Sequence, residues 1–220
     1  MNAIERNALI RHFNRYFEQD NGFILQTKNT NPRIDGLLCA PNEKYPYWKL
    51  ATLGASDFKM PAPKDSLGSR NEYVMFIDAE EDLTKQENLD WYFRRLLEAA
   101  VTPIFQKTFL SCGNSIERPE EEGEEMVGVY LGVPQVIGDV GILRCKLNPF
   151  KTAACLQVIL LNQEEFDRLQ EIGSKAFNDY LYPKEGPRHF LCQRHRTERF
   201  YRLSSEKHIL PLVDRQPSRT

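Results

Sequence analysis

The sequence predicts an α+β fold: a single domain with a mixed β-sheet and helices packed on it. Three observations point there. Glu72 to Ile77 and Ala154 to Leu161 are apolar runs of strand length. Leu83 to Ala100 repeats its apolar residues at helical spacing. Strand candidates also occur both in succession and separated by helices, which a purely parallel or purely helical architecture does not produce.

In chain order, Ile4 to Gln19 reads as an amphipathic helix with Ile4, Ala8, Phe13, Tyr16 and Phe17 on its apolar side. Asn21-Gly22 supplies the stop, because both residues tolerate positive φ. Arg33 to Ala40 and Trp48 to Leu53 are strand candidates, and Pro61, Pro63 and Gly68 mark a loop. In the Leu83–Ala100 helix, Asp82 or Thr84 is placed to cap the first turn, and Pro103 should end it. Lys107 to Ser111 is expected to be a strand. The run Glu117 to Glu125 repels itself and should be a mobile surface loop. Val127 to Val133 alternates as a strand, whereas Ile137 to Lys146, with Gly138 and Gly141, is ambiguous. Ala154 to Leu161 suits a strand covered on both faces. Asn162 and Glu165 then have capping-box spacing for a helix running to Tyr180 and Leu181, with Gly173 as a candidate break.

Residues 1–182 are expected to form the domain and residues 183–220 a basic tail. Phe190, Leu191, Phe200, Tyr201, Ile209 and Leu212 would order part of that tail. The tail holds nine Lys+Arg against four Asp+Glu, a net +5, which leaves −7 on the rest of a chain whose total is −2. An acidic body argues against nucleic-acid binding, which draws on clustered cations, and suits a basic protein partner. No apolar run reaches membrane-spanning length, and Glu5 interrupts the place where a secretion signal would turn apolar. A cytosolic protein is expected, and its five cysteines, Cys39, Cys112, Cys145, Cys155 and Cys192, should be free buried thiols.

Motifs for chemistry are sparse. Gly128, Gly132, Gly138 and Gly141 make neither a dinucleotide fingerprint nor a P-loop. Cys192, His195, Cys155 and His189 do not supply two ligand pairs at zinc spacing. No nucleophile elbow is present, and Glu80-Glu81-Asp82 reads as helix N-terminal charge. No catalytic residue, metal or cofactor is therefore expected. A hydrolase or transferase site around Asp35, Asp57 and His12 is the alternative.

One segment stands out. Asp35 places a carboxylate inside an apolar strand pattern, and residues 46–60 (PYWKLATLGASDFKM) concentrate aromatics before Gly54, Ser56 and Asp57. Ser56 and Asp57 would accept local backbone N–H bonds, or Tyr47, Trp48, Ser56 and Asp57 would edge a partner groove. A fully buried Trp48 would cost about 3–5 kcal/mol on truncation to Ala, and a contact residue far less.

The pattern Asp35, Pro41 and Pro46-Tyr-Trp-x-Leu-x-Thr-x-Gly-x-Ser-Asp-x-x-Met60 resembles the core signature of the Suppressor of fused (SUFU) domain family. Asn71 to Ile77, the Leu83–Ala100 helix, and Leu156 through Gly173 resemble the following elements, so the likeness covers residues 30–182. The resemblance implies an α+β fold and non-enzymatic protein binding. The short single-domain form resembles the stand-alone bacterial members, which implies an immunity protein that neutralises a toxin in a polymorphic toxin system.

Overall fold

The computed structural model describes residues 1–28, 31–64, 68–118, 123–183 and 188–196. The elements are α1 (Ala3–Phe17), β1 (Phe23–Leu25), β2 (Asp35–Cys39), β3 (Tyr47–Leu53), β4 (Asn71–Asp78), α2 (Gln86–Phe105), β5 (Ser115–Glu117), β6 (Met126–Gly132), β7 (Arg144–Asn148), β8 (Lys151–Asn162) and α3 (Gln163–Leu181). The strands form one mixed sheet in the order β1-β2-β3-β4-β8-β6-β5, with β7 also on β8. The β4–β8 pair is parallel and the other strand pairs are antiparallel. The expected α+β architecture with a mixed sheet is what the chain adopts.

Side-chain alternation along the strands divides the core into two clusters. Leu37, Ala51, Phe76 and Ile159 meet the helices α1 and α3 on one face. Leu38, Leu50, Met75 and Leu160 meet α2 on the other. The central strand β8 is therefore buried along nearly its whole length.

Several local expectations are corrected. The buried stripe of α1 is Glu5, Leu9, Phe13 and Phe17, while Ile4 is 74% exposed. Glu5 is drawn inward because its carboxylate accepts from Asn148 Nδ2 at 2.7 Å and Lys151 Nζ at 3.1 Å. The helix ends at Glu18, in the left-handed region at φ 49°, before Asn21-Gly22 is reached. Pro103 lies inside α2, not beyond it. In the last turn it forfeits one bond, and the chain runs on to Phe105. Asp82 orders the turn before α2 by accepting from the Thr84 amide and hydroxyl, but the N-cap itself is Lys85.

Residues 107–111 are not a strand. The strand forms at Ser115–Glu117, where Ser115 stands opposite Tyr130 of β6. The acidic run that follows is anchored at its ends: Arg118 pairs with Glu98, and Glu124 accepts from Trp91 Nε1 at 3.0 Å. Residues 119–122 lie outside the described residues.

The capping box of α3 is complete, with Asn162 accepting from the Glu165 amide and Glu165 from the Asn162 amide. Gly173 breaks the helix with φ 76°. Beyond residue 182, Phe190, Leu191 and Cys192 are buried, and Cys192 pairs with Ile77 of β4 in parallel. Phe200, Tyr201, Ile209 and Leu212 lie outside the described residues. All five cysteines are free, four of them buried and Cys112 half-buried.

Candidate functional site

The segment from Tyr47 to Met60 runs along β3, turns at Gly54 and passes through a short 3₁₀ turn at Ala55–Asp57. Gly54 has φ 129°, and a Cβ there would stand 2.9 Å from the Arg33 carbonyl oxygen, so the turn requires glycine. This geometry aims successive donors at one group. Thr52 Oγ1 donates to Glu72 Oε2 at 2.6 Å, and Ser56 Oγ donates to Glu72 Oε1 at 2.6 Å. The Gly54 and Ser56 amides donate to Oε1 at 3.1 and 3.0 Å. Glu72 itself is fully buried on β4. Burial pushes its carboxyl pKa up, and the hydroxyl and amide donors pull against that. The Thr-x-Gly-x-Ser spacing is thus a carboxylate cradle that locks the end of β3 to β4. Sequence reasoning missed Glu72, although an acid at the head of the apolar run Tyr73–Ile77 was a visible signal.

The four singled-out residues separate. Tyr47 and Ser56 are buried, so their side chains serve the scaffold and not a surface. Trp48 is half-buried on the α2 face, opposite Ile77. Asp57 is exposed at the other end of β3 and pairs with Lys151 at 2.6 Å. Trp48 and Asp57 therefore do not edge one groove.

The α2 face is incompletely covered: Trp48, Leu25, Leu89 and Phe93 are half-buried on it, and Phe23 of the edge strand β1 is 69% exposed on the same face as Leu38. Gly36 lets Phe93 lie against β2, since a Cβ would stand 2.8 Å from its ring. The acidic turn Glu80-Glu81-Asp82 follows directly on the end of β4 that faces Trp48.

Asp35, Asp57 and His12 do not converge. Asp35 accepts from the Thr27 amide at 3.0 Å and from Arg33, and pairs with Arg6, so it ties α1 and the loop before β2 to the sheet. Burial raises its pKa, but the hydrogen bonds from Arg33, Thr27 and Arg6 win and hold it below the usual value. His12 shares no partner with either acid: its Nε2–H donates to the Ile142 carbonyl at 3.0 Å. Cys155 Sγ lies 3.8 Å from the same nitrogen, but burial pushes that thiol well above its ordinary pKa. A nucleophilic Cys–His pair needs a thiolate. Among the described residues, no group of three or more His, Cys, Asp or Glu is placed to hold a metal ion. No helix among them is long and apolar enough to cross a membrane.

Burial lowers the His12 pKa, the Ile142 bond opposes this, and Arg15 adds to the lowering. The folded pKa lies below the unfolded 6.5, so His12 contributes stability above that pH, and the contribution is lost as pH falls through the folded value. Urea unfolding across an acid pH series should show this loss. His12→Gln, which keeps a donor for Ile142, should flatten it in part, since His189 is lowered in the same sense.

A search of curated proteins returns no match. The family model for the Suppressor of fused protein (SUFU) matches residues 30–195. Among solved structures, a chain of the Sufu–Fu complex superposes with a TM-score of 0.63 at 12% identity, covering 98% of both chains. A protein described as a SUFU homologue from Neisseria gonorrhoeae FA 1090 gives 0.58 at 11% identity, covering 80% of this chain and 88% of that one. Drosophila Suppressor of Fused gives 0.63 at 13% identity, with 91% of this chain spanning 52% of the fly protein. With the family match covering most of the sequence and the same fold in all three structures, the chain belongs to the Suppressor of fused family.

Proposed function

We propose that the protein is a binding module that holds another polypeptide and performs no chemistry on it. The observation that carries this reading is how the signature segment uses its groups. Thr52, Gly54 and Ser56 are consumed in holding Glu72, while the aromatic part of the same segment, Trp48, stays half-buried on the sheet face that also carries Phe93 and the exposed Phe23. A strip of aromatic side chains at the surface supplies contact area at low entropic cost. The Sufu–Fu complex is an instance of this fold in association with a protein.

The partner we favour is a basic polypeptide, because the exposed Glu80 and Asp82 follow the end of β4 that pairs with Trp48, and residues 1–182 carry a net −7. A toxin domain sequestered by an immunity protein in a bacterial cytoplasm fits that chemistry. Association should slow as salt rises. The test is co-purification from native cells with the wild-type chain and with a Phe23→Ser, Trp48→Ser double variant, joined to rescue from the toxicity of a neighbouring gene product. Wild type should retain a discrete polypeptide and rescue, and the folded double variant should do neither. Trp48→Ala should cost less stability than the about 3–5 kcal/mol of a fully buried Trp. Retention of the polypeptide by the double variant, or none with wild type, would contradict the proposal.

A further inference from the structure

The sheet has a notch. Strand β6 pairs with β8 as far as Gly132 opposite Gln157, and β7 begins with Arg144 opposite Ala154. Between them the chain leaves the sheet for two 3₁₀ turns, Gln135–Ile137 and Val140–Leu143. Cys155 and Leu156 consequently face no strand residue on that edge. The Ala154 amide donates to Arg70 on the β4 side. Alternation turns the Cys155 backbone the other way, and the Arg144–Ala154 pairing places its amide against the Leu143 carbonyl at the edge of the notch.

A cavity of about 390 Å³ occupies this place. Its floor is Ala154, Cys155 and Leu156, its sides are Val133 and Leu143, and Tyr16 of α1 closes one wall. The Val140–Leu143 turn lies over it, and Tyr16 packs so tightly on Gly141 that a Cβ there would stand 2.0 Å from its hydroxyl. Val140 is 82% exposed at the mouth, and Arg144 stands on the rim. A volume above roughly 300 Å³, an apolar lining and a few directed polar groups are the attributes of a small-molecule site.

We propose that this notch binds a small organic acid with an aromatic or branched apolar body. The body fills the space between Tyr16, Leu143 and Leu156. The carboxylate meets Arg144, whose guanidinium has five N–H donors and so accommodates an anion alongside its other contacts. Binding here is independent of the Trp48 strip, which lies on β3.

The test is titration of the full-length, isotope-labelled protein with phenylbutyrate, phenylbutanol and phenylbutylamine, followed by amide chemical shifts. Saturable shifts should centre on Tyr16, Leu143 and Cys155, and the acid should bind roughly tenfold more tightly than the amine. Arg144→Gln, an exposed change, should erase that preference while leaving alcohol binding in place. Val140→Asp should weaken the acid alone. Absence of saturable shifts, shifts scattered away from the notch, or an acid preference that survives Arg144→Gln would overturn the proposal.

Discussion

Glu72→Ala should lower the free energy of unfolding by roughly 3–5 kcal/mol, read from denaturant midpoints at neutral pH. The substitution removes an acceptor that four hydroxyl and amide groups share, and leaves those donors buried without it. Stranding buried donors costs more than deleting a whole hydrogen-bonded pair. Ser56→Ala and Thr52→Val should each cost about 1–3 kcal/mol, the penalty for leaving a buried polar partner unsatisfied. Combined with Glu72→Ala, Ser56→Ala should add little because the bond it removes is already gone, whereas Thr52→Val should add only the loss of its bond from the Tyr73 amide. Additive losses would mean that the cradle does not act as a unit.

Lys49→Met should stabilise the fold by about 3 kcal/mol at neutral pH. Lys49 is fully buried on β3, with its Nζ donating to the Ala40 carbonyl at 2.5 Å. Burial lowers its pKa from 10.5 to about 8, with Cys39 opposing slightly. The folded state thus binds a proton less tightly than the unfolded state does. The penalty is full below pH 8 and fades as pH rises toward 10.5, so the advantage of Lys49→Met should shrink over that range. Denaturant melts of both proteins across that window would measure it. A destabilised variant at pH 7 would show that the cation has a compensating partner.

Much of the architecture was legible from local pattern. The apolar run of β8, the capping box at Asn162–Glu165 and the break at Gly173 depend on residues near one another in sequence, and they form as expected. What was not legible depends on distant partners. β5 forms at Ser115 because β6 stands opposite, not because of its own composition. α1 buries Glu5 and exposes Ile4 because Asn148 and Lys151 sit across from it. Cys192 joins the sheet through β4, far upstream.

The candidate site was half legible for the same reason. The 46–60 stretch marked itself by composition, but its donors converge on Glu72, a residue outside it. Trp48 and Asp57 are close in sequence, yet an extended strand of roughly 3.3 Å per residue carries them to opposite ends. Burial then removes Tyr47 and Ser56 from any surface.

The most direct test of the binding reading is site-specific photo-crosslinking in native cells. A benzophenone side chain in place of Phe23, 69% exposed on the same sheet face as Trp48, should give one discrete heavier adduct containing a second polypeptide. The same probe at Ile172, on α3 across the sheet, should give none. No adduct at position 23, or equal adducts at both positions, would contradict the account.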